Sequence, residues 1–318
     1  MPPPHDLIYE VMTIKPRILV LLAAYNGATW ICEQIRTILA QDDVDVAIAI
    51  ADDRSNDATA ARIQEEFGNH PAISVTTWDK GSGSAGANFR RLFRTVSVDS
   101  FDYVALADQD DVWHARKLSV AVEALRRSGA DGYSCATTAF WEDGKEEILS
   151  QSAAVRDMDF LFEGAGQGCT FVMTAGLFRD VQRFCSANHA LSEKFHYHDW
   201  LIYLLARAWG KRWHFDQQPW LRYRQHANNE IGSKGSFGSI VKRLELIRNG
   251  WYRRQIAAAV EIYLRERTDV KIVYFEKVLS APDSVLRRLR MSRLVITGGR
   301  RRLSDRSVLA ISALAGWI

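Results

Sequence analysis

Three carboxylates stand within four positions, Asp108, Asp110 and Asp111, at the end of the apolar run YVALA and just before Val112 and Trp113. Like charges this close repel, and at the edge of a core water solvates them poorly, so the cluster invites a cation or a hydrogen-bond donor. Carboxylate oxygens suit Mg²⁺ or Mn²⁺, and Mg²⁺ typically joins one or two carboxylates to substrate phosphates and water. An Asp-x-Asp at a strand end therefore points to a diphosphate carried by a metal. Rival phosphate-binding devices are missing. No G-x-x-x-x-G-K-[ST] occurs in the chain, and the first strand leads into AAYNGATW, which has no G-x-G-x-x-G. The glycines of GSGSAG come only after the third strand, which argues against hydride transfer on a dinucleotide.

The elements that must position these carboxylates follow from periodicity. Residues 17 to 128 alternate strand and helix four times: RILVLLAA then ATWICEQIRTILAQ, VAIAIADD then DATAARIQEEFG, ISVTT then the helix after GSGSAG, and YVALA then RKLSVAVEALRRSG. Four such units predict an α/β fold with a mostly parallel sheet covered by helices. Each strand ends in a polar cluster: Tyr25 to Gly27, Asp52 and Asp53, Asp79 to Gly86, and Asp108 to Asp111. In open α/β sheets that edge is the ligand crevice, so four separate stretches converge on one site.

Beyond residue 128 the alternation weakens. DGYSCATTAFW and GQGCTFVMTAG read as strands, and HDWLIYLLARAWG as an apolar helix opened by Asp199. KRWHFDQQPWLRYRQHANNEIG reads as two short strands running into a polar loop. From Gly235 long helices take over, with Leu244, Ile247, Trp251, Ala258 and Ile262 forming a seam. A basic cluster, VLRRLRMSRLVITGGRRR, and a tail of twelve mostly apolar residues, too short to span a bilayer, close the chain. The division expected is an N-terminal tail at 1–16, a catalytic domain at 17–233 made of halves 17–128 and 129–233, and a basic helical extension at 234–318.

Composition narrows the setting. No run of eighteen apolar residues occurs, and MPPPHDLIYEVMTIKPR lacks a signal peptide's basic start and apolar middle, so a cytoplasmic location is expected. Cys32, Cys135, Cys169 and Cys185 are scattered, which reads as reduced structural thiols. The net charge of +3 hides an asymmetry. From Lys234 onward 18 Lys and Arg face 7 Asp and Glu, a net +11, while the preceding residues carry 23 against 31, a net −8. Such a tail suits an anionic lipid surface, with packing on the body or pairing with a second copy as the alternatives. The acidic body and the lack of a nucleic-acid motif count against a nucleic-acid partner.

Seven ordered segments, LLAAYNGATWICEQIRTIL, ADDRSNDAT, DKGSGSAGANF, LADQDDVWHARKL, GCTFVM, HDWLIYLLA and YRQHANNEIG, together resemble glycosyltransferase family 2, in particular its bacterial rhamnosyltransferase-like branch. The family's proline after the tryptophan is Ala115 here. The resemblance implies a GT-A-type fold and a single displacement with inversion, from a dTDP- or UDP-linked sugar (rhamnose favoured) to a glycan or lipid-linked acceptor of cell-surface polysaccharide synthesis. It places Tyr25, Asn26, Asp52 and Asp53 in the nucleoside pocket. Gly81, Gly83 and Gly86, with Asn88 nearby, would let the backbone approach the donor. Asp108 becomes the ribose-side member of the motif, Asp110 the metal ligand and Asp111 a sugar contact, with Arg224 and His226 on the diphosphate and His226 also within reach of the metal, Mg²⁺ or Mn²⁺. Asp199 takes the position of the base, although by itself it reads equally well as a helix N-cap. His196 and His198 beside it either orient it or are plain loop residues. A sugar-phosphate nucleotidyltransferase and a non-catalytic binding protein are the other classes. The first lacks its glycine-rich basic loop in AAYNGATW.

Overall fold

A computed structural model describes residues 14–150, 154–226 and 245–318. The expected loop over 227–232, the boundary at 233/234 and Leu244 lie outside them. The first half winds as expected: β1 (Arg17–Ala24), α1 (Ile31–Leu39), β2 (Asp45–Asp52), α2 (Thr59–Phe67), β3 (Ile73–Thr77), α3 (Ala85–Thr95), β4 (Tyr103–Ala107) and α4 (Lys117–Ser128), with a short strand β5 (Val112–Trp113) before α4. The second half holds β6 (Gly132–Phe140), β7 (Glu146–Leu149), β8 (Val172–Thr174), α5 (Ala175–Ala187), α6 (His189–Glu193), α7 (His198–Ala208) and β9 (Trp213–Arg224). The C-terminal part holds α8 (Trp251–Glu266), α9 (Val270–Ser280), α10 (Val285–Gly298) and α11 (Leu303–Leu314).

The strands form one mixed sheet in the order β3-β2-β1-β4-β8-β6-β9-β5, with β7 beside β6. This is a GT-A-like sheet flanked by helices. β1 to β4 are mutually parallel, and β8 runs antiparallel to both β4 and β6. β1 explains why its sequence is apolar throughout. Side chains alternate across a strand, so Ile18, Val20 and Leu22 pack with α1 and α4, while Leu19 and Leu21 face α3 and α7. α1 answers with Ile31, Ile35 and Ile38 at helical spacing, all buried.

Three expectations differ from the structure. GCT at Gly168–Thr170 is a 3₁₀ turn, and only Val172–Thr174 is extended. The two strands expected in 211–224 are one, β9, whose register against β6 shifts between Cys135↔Asp216 and Ala136↔Pro219. Proline has no N–H to give a ladder, and a bulge is where a strand tolerates it. α5, which follows β8 directly, is a helix in a stretch for which no element was expected.

The C-terminal helices share the larger core. Ile256, Ile262, Phe275, Met291, Val295 and Leu309 belong to the same buried cluster as Phe178 and Leu201. Buried Asp159 pins the arrangement. It pairs with Arg207 at 2.7 Å and Arg301 at 3.0 Å and accepts from the Tyr203 hydroxyl at 3.0 Å.

Candidate active site

The carboxylate loop is tied to the end of β1 by Gln109. Its Oε1 accepts from the Tyr25 N–H at 2.8 Å and its Nε2 donates to the Tyr25 carbonyl at 2.9 Å. This leaves the Tyr25 side chain exposed at the sheet edge. Asn26, at φ 49, accepts from the Asn56 N–H and donates its own N–H to Ser55 Oγ, joining the ends of β1 and β2. The two aspartates at the end of β2 are both engaged inside the protein. Asp52 accepts from the Ser55 N–H and hydroxyl, and Asp53 accepts from the Ser82 N–H at 2.7 Å and hydroxyl at 2.8 Å. Asp53 thereby holds the glycine-rich loop against the sheet.

That loop serves two purposes. Gly81 lies over the Asp53 carbonyl, and Gly83, at φ +88, faces open space, where a donor can approach. Gly86 and Asn88 differ from the donor contacts expected of them. A Cβ on Gly86 would stand 2.2 Å from the His196 carbonyl oxygen, so this glycine lets α3 pack against the segment before α7. Asn88 is buried, with Nδ2 donating to the Ala51 carbonyl at 2.9 Å and Oδ1 accepting from Trp78 Nε1 at 2.8 Å. Its amide braces β2 and α3 from inside the protein.

The carboxylates themselves meet groups from distant parts of the chain. Asp110 Oδ2 lies 2.7 Å from His226 Nε2, and the His226 ring stacks on Trp30 at 4.4 Å. Arg224 donates its Nε to the Asp110 carbonyl at 2.9 Å, its N–H to Asp111 Oδ1 at 3.4 Å and its Nη2 to Glu33 at 2.6 Å. Asp111 is 1% exposed and its Oδ2 has no hydrogen-bond partner. Burial first, then the charges of Asp110 and Asp108, hold its carboxyl well above the usual carboxylate range.

A group able to hold a metal differs from the expected set of Asp108, Asp110 and His226. One ligand atom each from Asp108, Asp111 and Cys169 falls within 4.8 Å. Two hard carboxylate oxygens, one of them orphaned, fit Mg²⁺ or Mn²⁺. Burial and the same carboxylates raise the Cys169 thiol, so it stays protonated and leaves the hard ligands to the cation. Beneath the cluster Lys117 is fully buried with no hydrogen-bond partner, its ammonium 3.4 Å over the Trp113 ring. Burial pushes it down to about 8.

Asp199 is the second residue of α7, not its cap. The N-cap position is Tyr197 and carries no side-chain cap bond, and Asp199 Oδ1 accepts from the neighbouring Trp200 N–H at 2.7 Å. Its carboxylate sits in the first helical turn, where negative charge is favoured. Gly168 brings it to the cluster of Asp108, Asp111 and Cys169. A Cβ there would stand 3.3 Å from Asp199 Cβ and 2.6 Å from His198 Nε2, so the turn holding Cys169 lies directly against the start of α7. His198 is a core residue, stacked on Phe89 at 4.0 Å and driven neutral by burial and Arg90, down to about 3.

The segment before Asp199 is clamped from two sides. From α3, Arg90 donates to the His196 carbonyl at 3.1 Å and pairs with Glu193 at 3.1 Å. From α8, Gln255 accepts the His196 N–H at 2.8 Å and donates to the Lys194 carbonyl at 3.2 Å. Trp251 packs edge-on against His196 at 5.7 Å and Tyr197 at 5.8 Å. Gln109, Cys169, Trp30 and Gln255 were not singled out as site residues in the sequence. Gln109 and Cys169 did lie inside the quoted motifs, whereas Gln255 carried no signal of its own.

Comparison with known proteins bears on the family and the fold. A sequence model described as Glycosyl transferase family 2 matches residues 19–183. The chain is 37% identical over 237 residues to dTDP-rhamnosyl transferase RfbG of Shigella flexneri, covering 74% of this chain and 82% of that one. Among solved structures, S. aureus TarS 1-349 in complex with UDP-GlcNAc is similar at a TM-score of 0.57 and 15% identity, covering 94% of this chain and 81% of that one. Mannosyltransferase PcManGT from Pyrobaculum calidifontis, in complex with GDP-Man and Mn²⁺, is similar at 0.53 and 15%, covering 96% and 76%.

Proposed function

The chain belongs to glycosyl transferase family 2, and from that membership and the site geometry we propose that it is an inverting, metal-dependent transferase of rhamnose from dTDP-rhamnose. The acceptor in this reading is a growing cell-surface glycan or its lipid-linked precursor, met at the cytoplasmic face of the membrane. The observation that carries the proposal is the orphaned, buried Asp111 oxygen beside Asp108, with Asp199 across a single glycine from the same cluster.

The donor nucleotide lies along the strand ends, over Tyr25 and the Gly81 to Gly83 loop, with Arg224 and His226 beside the diphosphate. Asp108 and Asp111, joined by Asp110, would hold Mg²⁺ or Mn²⁺, which supplies charge stabilisation to a diphosphate. Asp199 takes the proton of the acceptor hydroxyl as that oxygen attacks the anomeric carbon. The new C–O bond forms on the face opposite the breaking one, and the electron pair leaves with the nucleoside diphosphate. No protein acid is required, because that leaving group is already stabilised. The similarity to a dTDP-rhamnosyl transferase supports rhamnose and thymidine over other donors.

The test is a thermal-shift panel of dTDP-, UDP- and GDP-sugars with and without Mn²⁺, followed by turnover of Asp199→Asn. Stabilisation by dTDP-rhamnose only with metal is expected. Asp199→Asn should keep donor affinity and lose turnover at least about a hundredfold, the scale of a lost general base. Metal-independent binding, or near-normal turnover of the variant, would remove the corresponding assignment.

A further inference from the structure

α10 and α11 form an antiparallel hairpin. Arg306, early in α11, donates to the Ile296 carbonyl near the end of α10, and Gly316, just after α11, lies against the Arg288 guanidinium near the start of α10. The turn between the helices is fastened to the body: Arg301 pairs with Asp159, and the Met158 N–H donates to the Gly298 carbonyl. The opposite end carries apolar side chains that face solvent. Val285 is 74% exposed, Leu286 56%, Leu289 54% and Ile311 65%, with Leu314 and Trp317 beside them. Soluble surfaces rarely gather such residues without a partner.

The charge at this end says which partner. Arg287, Arg301 and Arg306 are buried, and Arg288 and Arg300 pair with Asp283, Glu163 and Asp305. Arg290 and Arg293 are exposed, share a helix face with Leu286 and Leu289, and have no acidic partner among the described residues. No acidic residue occurs between Asp283 and Asp305, nor after Asp305. Pairing two copies through this patch would set arginines against arginines with nothing to neutralise them. An anionic surface with an apolar layer beneath it satisfies both features at once.

We propose that the free end of the α10 and α11 hairpin docks on a bilayer that carries anionic phospholipid. Leu286, Leu289, Ile311 and Trp317 enter the headgroup boundary, and Arg290 and Arg293 meet lipid phosphates. No described helix is long and apolar enough to cross a membrane, so the contact is peripheral. The inference rests on the proposed membrane-side acceptor, yet its test is independent of turnover.

Flotation of the full chain with phosphatidylglycerol-containing vesicles, against phosphatidylcholine alone, reads the contact directly. Binding is expected only to the anionic vesicles and should fade at high salt. Arg290→Glu/Arg293→Glu should weaken it by at least about fivefold per arginine, the factor that goes with basic residues at an anionic surface. Leu289→Ser/Ile311→Ser should abolish it with the fold and donor binding intact, since both side chains face solvent. No flotation, or flotation that neither double variant alters, overturns the proposal. A dimer by light scattering that Leu289→Ser/Ile311→Ser returns to monomer, in a protein that does not float, gives the patch to a second copy. Normal flotation with no sugar transfer would sink the transferase reading and leave this one standing.

Discussion

At the scale of single residues, the site sets binding against stability. Asp111 is buried with one oxygen orphaned and two like charges beside it, an arrangement tolerated where a ligand completes it. Asp111→Asn is therefore expected to raise the melting temperature in chelator and to lose the extra stabilisation that donor and Mn²⁺ give together. A variant less stable in chelator would show that the carboxylate is already satisfied by the protein. Lys117 makes a second case. Burial sets it at about 8 against 10.5, so between those pH values the folded state holds fewer protons than the unfolded chain. Its charge thus penalises folding below pH 8, and the penalty fades as pH rises toward 10.5. Lys117→Met should be the more stable protein near neutrality by on the order of 1–3 kcal/mol, with the gap closing above pH 8. Denaturant unfolding of both proteins across that range reads it. A destabilised variant would mean that the ammonium offsets the carboxylates above it.

At the scale of elements, catalysis in the proposed reading depends on how α3, α7 and α8 meet around residues 193–197. Gly86→Ala would place a carbon 2.2 Å from the His196 carbonyl, and since both partners are backbone, α3 or the segment must shift. Gln255→Ala removes the two hydrogen bonds that hold the same segment from the other side. Both bonds are part-buried, and each such bond contributes about 0.5–1.5 kcal/mol. Turnover of Gln255→Ala is expected to fall about tenfold with the donor KM unchanged, because misplacing a base by a fraction of an ångström slows chemistry without touching donor binding. Hydrogen exchange should show faster amides at 194–197 and unchanged protection along α7. An equal rise in donor KM would instead place the effect in the nucleotide half.

At the scale of the whole molecule, the C-terminal helices complete the core rather than decorate it. Asp159 is fully buried between Arg207 from α7 and Arg301 from the hairpin turn, so one carboxylate couples the second half of the sheet to the extension. Arg301→Ala leaves that charge with half its neutralisation and should cost about 3 kcal/mol in urea unfolding, the low end for breaking a buried pair, since Arg207 and Tyr203 remain. Removing 245–318 would expose the apolar face on which α8 to α11 rest, and the remainder is expected to aggregate. A soluble, donor-binding 1–244 protein would show that the core closes without them.

The chain's own pattern set the strand-helix alternation of residues 17–128, because apolar periodicity is a local property. It also determined that four polar clusters gather at one sheet edge, because the carboxyl ends of parallel strands lie on the same edge whatever their order. It marked Asp108, Asp110, Asp111 and Asp199 by type and placement. Tertiary structure alone decided which neighbours these groups have. It turned Asn88 and Gly86 into braces and put His198 in the core against Phe89. It set Cys169 beside Asp111 and brought Gln255 from the far end of the chain to the threshold of Asp199. Hydrogen-bond partners more than fifty residues apart leave no trace in local spacing, and whether an arginine in a basic tail is engaged by Asp159 or left exposed depends on which helix face the core consumes.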